Sequence, residues 1–367
     1  MGAFGLMGGE YEQVVYNHDP VSGLKAIIAI HSTALGPALG GTRFYPYPSE
    51  DDALRDVLRL ARGMSYKAAA AGLNLGGGKA VIIGDPKRIK SEALLRAHGR
   101  FVESLGGRYI TAEDVGTYTA DMDLVALETR FVTGRSVTHG GGGDPSINTA
   151  YGVLQGMRAV AEELWKDTDL AGRHVVVQGV GKVGSHLCQL LHEAGVRLTV
   201  ADFDLDNVAR AVKEFGADTV EPGKAHAVEC DILAPCAMGA VVNDDTLPDL
   251  KCAAVAGSAN NILARDEHGY ALRQLGILYA PDYVINAGGL INVADELQGY
   301  SAERATAKVE GIFGTLRDIF HRAKAEGIPT SEAADRVATD RMREVSRLRL
   351  IRVLPGAGLA AGQAARG

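Results

Sequence analysis

Residues 179–184 constrain the fold of this chain more than any other segment. They read Gly-Val-Gly-Lys-Val-Gly, they follow the apolar run 174–178, and the residues after them keep helical spacing as far as Leu191. A strand, a G-x-G-x-x-G turn and a helix in this order are typical of the first βαβ unit of a doubly wound α/β sheet. The segment therefore predicts a sheet that binds a dinucleotide, with a purely structural glycine turn as the alternative.

The three glycines of this turn have different predicted roles. Gly179 permits the turn, Gly181 lets the backbone approach a pyrophosphate, and Gly184 lets the helix pack against the strand. The next apolar run, 198–201, ends in Asp202. A carboxylate there would accept hydrogen bonds from an adenosine ribose and repel a 2′-phosphate, which predicts NAD rather than NADP. The cofactor-binding residues predicted from this pattern are Gly179, Val180, Gly181, Lys182, Val183, Gly184 and Asp202.

A second glycine-rich segment, residues 76–78, lies earlier in the chain and is followed by Lys79 and the apolar run 80–83. We expect a loop without side chains that presents Lys79 in front of a buried strand. A P-loop is excluded, because Leu73 stands where its first glycine belongs and Ala80 replaces the Mg²⁺-binding Ser or Thr.

Two lysines of the N-terminal half lie in apolar sequence. A capping box at residues 49–52 starts a long helix that would carry Lys67 among alanines, and Lys79 precedes a buried strand. Two cations in an apolar environment need an anionic partner, or the pKa of one of them must be lowered. Asp114, just past a predicted strand at 108–111, is an available carboxylate. The residues alone leave a solvated lysine or a structural ion pair as open alternatives.

The chain of 367 residues exceeds the size that one core usually supports, so two domains are expected. Four consecutive glycines at 140–143 mark the boundary, because they favour neither helix nor strand. We predict a substrate and catalytic domain over 1–139, an NAD-binding domain over 144–329 and a loose tail over 354–367. Strands alternate with helices after the boundary, which predicts a parallel, doubly wound sheet.

Composition argues against several classes of partner and site. A net charge of −7 argues against nucleic acid, and no apolar run reaches membrane-spanning length. The four cysteines lack C-x-x-C spacing and the first residues lack a basic segment of the secretory kind, so a reducing, cytoplasmic compartment is expected. The ten histidines lack metal-ligand spacing, so no metal site is predicted.

Five segments, in order, give the chain a resemblance to a known family. These segments are residues 36–43, 74–79, 109–117, 256–261 and 279–297. They resemble the amino-acid dehydrogenases, the family of the glutamate, leucine, valine and phenylalanine enzymes, over roughly residues 10–345. The branched-chain members, especially the valine dehydrogenases of actinomycetes, are the most similar. The resemblance implies an α/β fold with the substrate domain first and a Rossmann NAD-binding domain second, and with C-terminal helices at about 330–350 that pack back on the first domain.

The resemblance also implies roles for individual residues. Lys67 would hold the substrate α-carboxylate, Lys79 would be the general base that activates water, and Asp114 would move a proton to and from the amino nitrogen. Gly40 and Gly41 would form the floor of the substrate site. Near the nicotinamide the implied residues are Thr149, which would contact the carboxamide, and Asn260 and Asn261.

The resemblance places four apolar residues around the substrate side chain: Leu39, Ala112, Leu290 and Val293. Leu39 stands where glutamate dehydrogenases have a lysine that pairs with the substrate side-chain carboxylate, so an aliphatic substrate is expected. Leu290 is bulkier than the valine expected in leucine dehydrogenases, which tilts the pocket toward valine. An ordinary core role for Leu290 and Val293 is the alternative.

The expected activity is NAD-dependent, reversible oxidative deamination of branched-chain L-amino acids to 2-oxo acids and ammonia. The expected partners are these small molecules and further copies of the chain in a homo-oligomer. Two alternatives stand beside this expectation. One is a dehydrogenase of another amino acid, such as phenylalanine, and the other is a non-catalytic NAD-binding regulator on the same fold.

Overall fold

The structure of the protein is a computed structural model that describes residues 3–237 and 239–348, and the predicted tail at 354–367 lies outside these residues. Its strands are β1 (Gln13–Asp19), β2 (Leu24–Ser32), β3 (Ala38–Tyr45), β4 (Gly76–Ile83), β5 (Tyr109–Glu113), β6 (His174–Gln178), β7 (Arg197–Ala201), β8 (Asp218–Thr219), β9 (Cys230–Pro235), β10 (Cys252–Val255) and β11 (Leu278–Tyr279). Its α-helices are α1 (Ala3–Met7), α2 (Glu50–Ala70), α3 (Pro86–Ile89), α4 (Glu92–Glu103), α5 (Thr119–Val125), α6 (Ser146–Trp165), α7 (Lys182–Glu193), α8 (Leu205–Phe215), α9 (Glu267–Gln274), α10 (Asp282–Ile285), α11 (Gly288–Asp295), α12 (Ala302–Glu326) and α13 (Thr330–Ser346).

The first domain contains a mixed five-stranded sheet in the order β1-β2-β4-β3-β5. β1, β2 and β4 pair antiparallel, whereas β3 is parallel to both β4 and β5. The Ser49 side chain caps α2 by accepting a hydrogen bond from the Asp52 backbone N–H, as the capping box predicts. One face of the sheet packs on α2 and the other on α4, so the strands are buried on both sides.

The second domain contains a six-stranded sheet in the order β11-β10-β9-β6-β7-β8, and all of its recorded strand pairs are parallel. Numbered from β6, this is the 3-2-1-4-5-6 order of a doubly wound sheet, with the order reversing between β6 and β9. The predicted α/β fold with a parallel second sheet is therefore confirmed. Ligands of such sheets bind at this reversal, outside the carboxyl ends of the strands.

The glycine segment at 76–78 is part of strand β4, so the predicted loop is wrong. A methyl group on Gly77 would overlap the backbone of Ser65 in α2, and one on Gly78 would lie 2.8 Å from the Tyr109 ring. The glycines therefore let a strand lie directly against a helix and an aromatic ring. Strand β3 was not predicted at all, because Gly40 and Gly41 are unusual inside a strand.

The last helices join the two domains. α12 packs along α6 of the second domain, whereas α13 returns to α2 of the first. Arg341 of α13 donates hydrogen bonds to the Ala69 and Leu73 carbonyls at 2.9 and 2.8 Å and to Asn74 Oδ1 at 3.0 Å. Its guanidinium thus neutralises the carbonyl end of α2. Across residues 3–237 and 239–348, no helix has the length and apolar content needed to cross a bilayer.

Candidate active site

A cleft of about 740 Å³ opens between the two domains, and both contribute to its wall. The predicted catalytic and substrate-binding residues that line it are Leu39, Gly40, Gly41, Lys67, Lys79, Ala112, Asp114, Leu290 and Val293. The predicted cofactor residues in its wall are Thr149, Lys182, Val183 and Asn260. The remaining cofactor residues, which are not in the wall of this cleft, are Gly179, Val180, Gly181, Gly184, Asp202 and Asn261.

Three neighbouring strands bring the first-domain residues together. In the sheet order β4-β3-β5, Leu39 pairs with Gly77, and Gly41 pairs with Ala112. Tyr109 is fully buried beneath them, and its hydroxyl donates a hydrogen bond to the Gly40 carbonyl at 2.5 Å. A methyl group on Gly40 would overlap the Gly78 carbonyl and one on Gly41 the Glu113 carbonyl, so these glycines let the backbone segments beside the cleft pack closely.

Lys79 and Asp114 form the charged centre of the cleft. Lys79 Nζ lies 2.5 Å from Asp114 Oδ2, and Arg43 Nε approaches the same oxygen at 3.4 Å. Burial raises the pKa of Asp114, but Lys79 and Arg43 oppose it and hold the pKa below its ordinary value. Arg43 is itself fixed by Asp56, at 2.9 Å. Asp114 is therefore a carboxylate with a lysine proton within direct reach.

Lys67 enters the cleft from α2, one helical turn before the helix ends. Burial is the main cause that lowers its pKa to about 8, and the nearby Lys79 adds to this, while Asp282 and Asp114 oppose it. The sequence left open whether the two lysines would find an anion or whether one of them would have a lowered pKa. Both occur, because Lys79 pairs with Asp114 and Lys67 has the lowered pKa.

The apolar wall of the cleft comes from both domains. Leu39 and Ala112 belong to β3 and β5, whereas Leu290 and Val293 belong to α11. Leu39, Ala112 and Leu290 are buried, with exposed fractions of 1%, 7% and 7%. Met64 of α2 also lines this wall and was not predicted. Its spacing of three residues from Lys67, which places both on one helix face, was a usable signal.

A turn at residues 258–262 closes the cleft on the side of the second domain. Asn261 has a positive φ of 53°, and Asn286 donates hydrogen bonds from Nδ2 to Asn260 Oδ1 and the Ser258 carbonyl at 2.8 and 3.0 Å. Asp282 accepts the Ile262 N–H at 2.9 Å. Asn286, which sequence reasoning missed, also lines the cleft and therefore orients the predicted Asn260.

The glycine turn after β6 fits a dinucleotide. A methyl group on Gly181 would meet nothing within 4 Å, and no side chain caps the N-terminus of α7, so its N–H groups are free for an anion. By contrast, a methyl group on Gly184 would overlap the Gly179 carbonyl, so Gly184 allows close packing of the helix. Asp202 follows β7 and accepts the Val180 N–H at 2.7 Å, which places a carboxylate beside the turn.

Further residues line the cleft that the sequence did not indicate. They are Glu113, Thr117, Tyr118, Thr119, Ser136, Val137, Gly143, Asp144, Pro145, Ser258 and Gly289. Most of them follow β5 or precede α6, in segments without periodic spacing. Glu113, Thr117, Gly143, Ser258 and Gly289 lie within segments that the sequence analysis had noted for other reasons.

Comparisons with known proteins show which family the chain belongs to. The family model "Glu/Leu/Phe/Val dehydrogenase, dimerisation domain" matches residues 11–131, and "Glutamate/Leucine/Phenylalanine/Valine dehydrogenase" matches residues 140–349. A leucine dehydrogenase of Geobacillus stearothermophilus is 58% identical over 93% of each chain. A valine dehydrogenase of Streptomyces virginiae is 57% identical over 92% of this chain and 95% of its own length.

Among solved structures, the crystal structure of L-tryptophan dehydrogenase from Nostoc punctiforme matches with a TM-score of 0.84 and 45% identity, covering 94% of this chain and 99% of the other. The family matches span both domains, and the relatives cover nearly the whole sequence. The chain therefore belongs to the Glu/Leu/Phe/Val family of amino-acid dehydrogenases.

Proposed function

We propose that the protein catalyses NAD-dependent oxidative deamination of branched-chain L-amino acids. The observation that carries this proposal is the Lys79–Asp114 pair, with Lys67 beside it, in an apolar cleft that also reaches the glycine turn of the second domain. The overall reaction converts an amino acid, NAD⁺ and water into a 2-oxo acid, ammonium, NADH and a proton.

The proposed roles follow from the chemistry of each group. The Lys67 ammonium binds the substrate carboxylate. Asp114 accepts a proton from the substrate ammonium and later returns one to the departing nitrogen. Lys79, once its ammonium has released a proton, takes the proton of the water that attacks the iminium carbon, and Asp114, at 2.5 Å, can exchange that proton with it. The carbinolamine then collapses to the 2-oxo acid and ammonia.

The proposed cofactor site uses the edge of the second sheet. The free N–H groups at the start of α7 bind the pyrophosphate, and Asp202 binds the adenosine ribose and repels a 2′-phosphate. Thr149, Asn260 and Asn261 hold the nicotinamide end toward the cleft. NAD, when bound, accepts a hydride from the substrate Cα. Closure of the two domains would exclude bulk water from this step.

The substrate side chain is proposed to occupy the wall formed by Leu39, Ala112, Leu290 and Val293. No described cation within this wall can pair with a side-chain carboxylate, since Lys67 and Lys79 are committed to the α-carboxylate and to Asp114. Overall identity of 58% and 57% to the leucine and valine enzymes does not separate the two substrates. We propose valine as the preferred one because of the bulk of Leu290.

Three organisational features belong to the same proposal. The boundary between the domains lies at 140–143, with the first domain over 1–139 and the second over 144–329. The chain forms a homo-oligomer, which the dimerisation model over 11–131 supports. The protein is cytoplasmic, which four cysteines without disulfides support.

The experiment that tests the function is NADH formation with a panel of L-amino acids. The panel contains valine, leucine, isoleucine, 2-aminobutyrate, phenylalanine and glutamate, each with NAD⁺ and with NADP⁺. Fast turnover of the aliphatic substrates with NAD⁺ is expected. Turnover of glutamate or phenylalanine alone would contradict the pocket assignment, and no turnover with any of them would favour a regulator.

A further inference from the structure

Glu296 makes an unusual set of contacts at the end of the pocket helix. It follows α11, the helix that supplies Leu290 and Val293 to the substrate wall. Its Oε2 accepts the Gly134 N–H at 2.8 Å, and its Oε1 accepts the Gly142 N–H at 2.8 Å. The Arg135 N–H adds a longer contact to Oε2 at 3.4 Å. One carboxylate thus holds both ends of the segment that connects the two domains.

The Gly134 end of this segment is fixed to the first domain. Val132 pairs with Thr111 of β5, and the Thr133 N–H donates to the Thr111 carbonyl at 2.8 Å. Gly134 is therefore the first residue after a strand-like contact with the sheet that carries Ala112. The bond from Gly134 to Glu296 connects this sheet to α11 across the domain boundary.

The Gly142 end is held by the same helix. A methyl group on Gly142 would lie 2.7 Å from Asn292 Nδ2 and 2.6 Å from the Tyr300 ring. Asn292 Oδ1 accepts hydrogen bonds from Asn148 Nδ2 at 2.6 Å and from the Tyr300 hydroxyl at 2.9 Å. Leu290 and Val293 of α11 thus line the substrate wall while Asn292 and Glu296 hold the interdomain connection.

A carboxylate is the group that this arrangement requires. Glu296 is half-buried, and burying a carboxylate is costly unless hydrogen bonds compensate it. Each of its oxygens accepts a different end of the connection. A glutamine can accept with one oxygen only and would turn an NH₂ group toward the other N–H, so one end must be released.

We propose that Glu296 is a positioning residue that couples the domain hinge to the substrate side-chain pocket. Glu296 fixes the domain hinge about which the cleft closes. Because it follows α11, it also fixes the position of Leu290 and Val293 relative to that hinge. This inference rests on the proposed function, since it concerns the site in which the amino-acid side chain binds. It adds a residue that contacts neither substrate nor cofactor.

The test compares E296Q with R304K in the full-length protein. Arg304 pairs with Asp295 of α11 at 2.6 Å, so R304K perturbs the same helix without contacting the connection. For E296Q we expect KM for valine to rise and kcat/KM to fall by about tenfold to a hundredfold, the range that misplacement near 1 Å produces. The preference for valine over 2-aminobutyrate should shrink, while the Kd for NAD stays constant.

Hydrogen exchange supplies a readout that does not depend on activity. The Gly134 and Gly142 amides should exchange faster in E296Q than in the wild type or in R304K. A folded E296Q that keeps the wild-type KM and substrate preference would overturn the proposal, even if its Tm falls, because Glu296 would then be structural only. If E296Q exchanges as the wild type does, the proposal also fails. The proposed function is judged separately, by whether the wild-type protein oxidises branched-chain amino acids.

Discussion

The two glycine-rich segments of this protein have similar composition and opposite purposes. In β4 the lack of a side chain at Gly77 lets the strand pack directly against the backbone of Ser65 in α2. In the turn before α7, the lack of a side chain at Gly181 leaves the space beside the turn empty, because a methyl group there would have no atom within 4 Å. Lys79 follows the first segment and Lys182 lies within the second, and both lysines line the same cleft.

The difference shows that a glycine cluster gives no function by itself. What decides its role is whether neighbouring backbone or empty space occupies the position of the missing Cβ. The first cluster holds Lys79, the proposed general base, against a helix that carries another lysine. The second leaves helix N–H groups unpartnered for an anion.

The largest expected effect is on kcat, and it should distinguish Lys79 from Lys182. Lys79→Met should lower kcat by about 10²–10⁴, the usual contribution of a general base, and leave the Kd for NAD unchanged. Lys182→Met should instead weaken NAD binding by about 1 kcal/mol, as expected of an exposed charge, and keep kcat. Steady-state kinetics and nucleotide titration measure both. Equal losses of kcat in the two variants would contradict the assignment of roles.

The second effect concerns the glycines themselves. Gly77→Ala should lower the free energy of unfolding by about 3 kcal/mol, because its methyl group overlaps the α2 backbone and neither element can move away easily. Gly181→Ala should fold with wild-type stability and bind NAD more weakly, since the methyl group enters the space of the pyrophosphate. Denaturant unfolding and nucleotide titration separate them. A stable Gly77→Ala would remove the distinction between the segments.

The third prediction concerns Asp202, the carboxylate beside the glycine turn of the second domain, and its effect on cofactor preference. Asp202→Ser should raise kcat/KM for NADP⁺ relative to NAD⁺ by about thirtyfold, since a like charge no longer opposes the 2′-phosphate. Asp204→Ser is the matched control. Asp204 caps α8 by accepting the Asp206 N–H at 3.0 Å, and serine is an equally good cap, so this variant should keep the wild-type stability and the wild-type cofactor preference. A shift of the cofactor preference in both variants would contradict the role of Asp202.

The smallest expected effect is a pH dependence of carboxylate binding at Lys67, in the part of the cleft that the first domain forms. Because burial lowers the pKa of Lys67 to about 8, its ammonium is lost as the pH rises through that value. The Ki of 3-methylbutanoate, an acid without an amine of its own, should rise about tenfold between pH 7 and 9. NAD binding should stay constant, since Lys67 is not among its proposed contacts. A flat Ki profile would show that Lys67 does not hold the carboxylate.

Local patterns predicted much of the fold. Helical spacing and a capping box located α2, and α13 (Thr330–Ser346) lies within the expected C-terminal helices at about 330–350. The alternation of strands and helices predicted the parallel second sheet, which the structure confirms. Strand β3 and the start of β4 were missed because glycine is rare in strands, and only contacts with distant residues explain it there.

The site was predictable where a residue stood out from its surroundings. Lys67 and Lys79 were notable as charges in apolar sequence, and Asp114 by its place after a strand. Their assigned roles remain predictions. Asn286 and Glu296 could not be identified in the same way, because each acts through groups that are far apart in sequence, such as Gly134 for Glu296. Such partners become visible only when the chain is folded.

The contact of Arg341 with the end of α2 has a consequence for the order in which the protein matures. Arg341 is made more than two hundred residues after Ala69 and Leu73, whose carbonyls it binds. During synthesis the first sheet leaves the ribosome and folds while this end of its lysine-bearing helix still lacks its partner. We therefore expect a chain that stops before α13 to keep both sheets but to leave the end of the Lys67 helix without the Arg341 contacts.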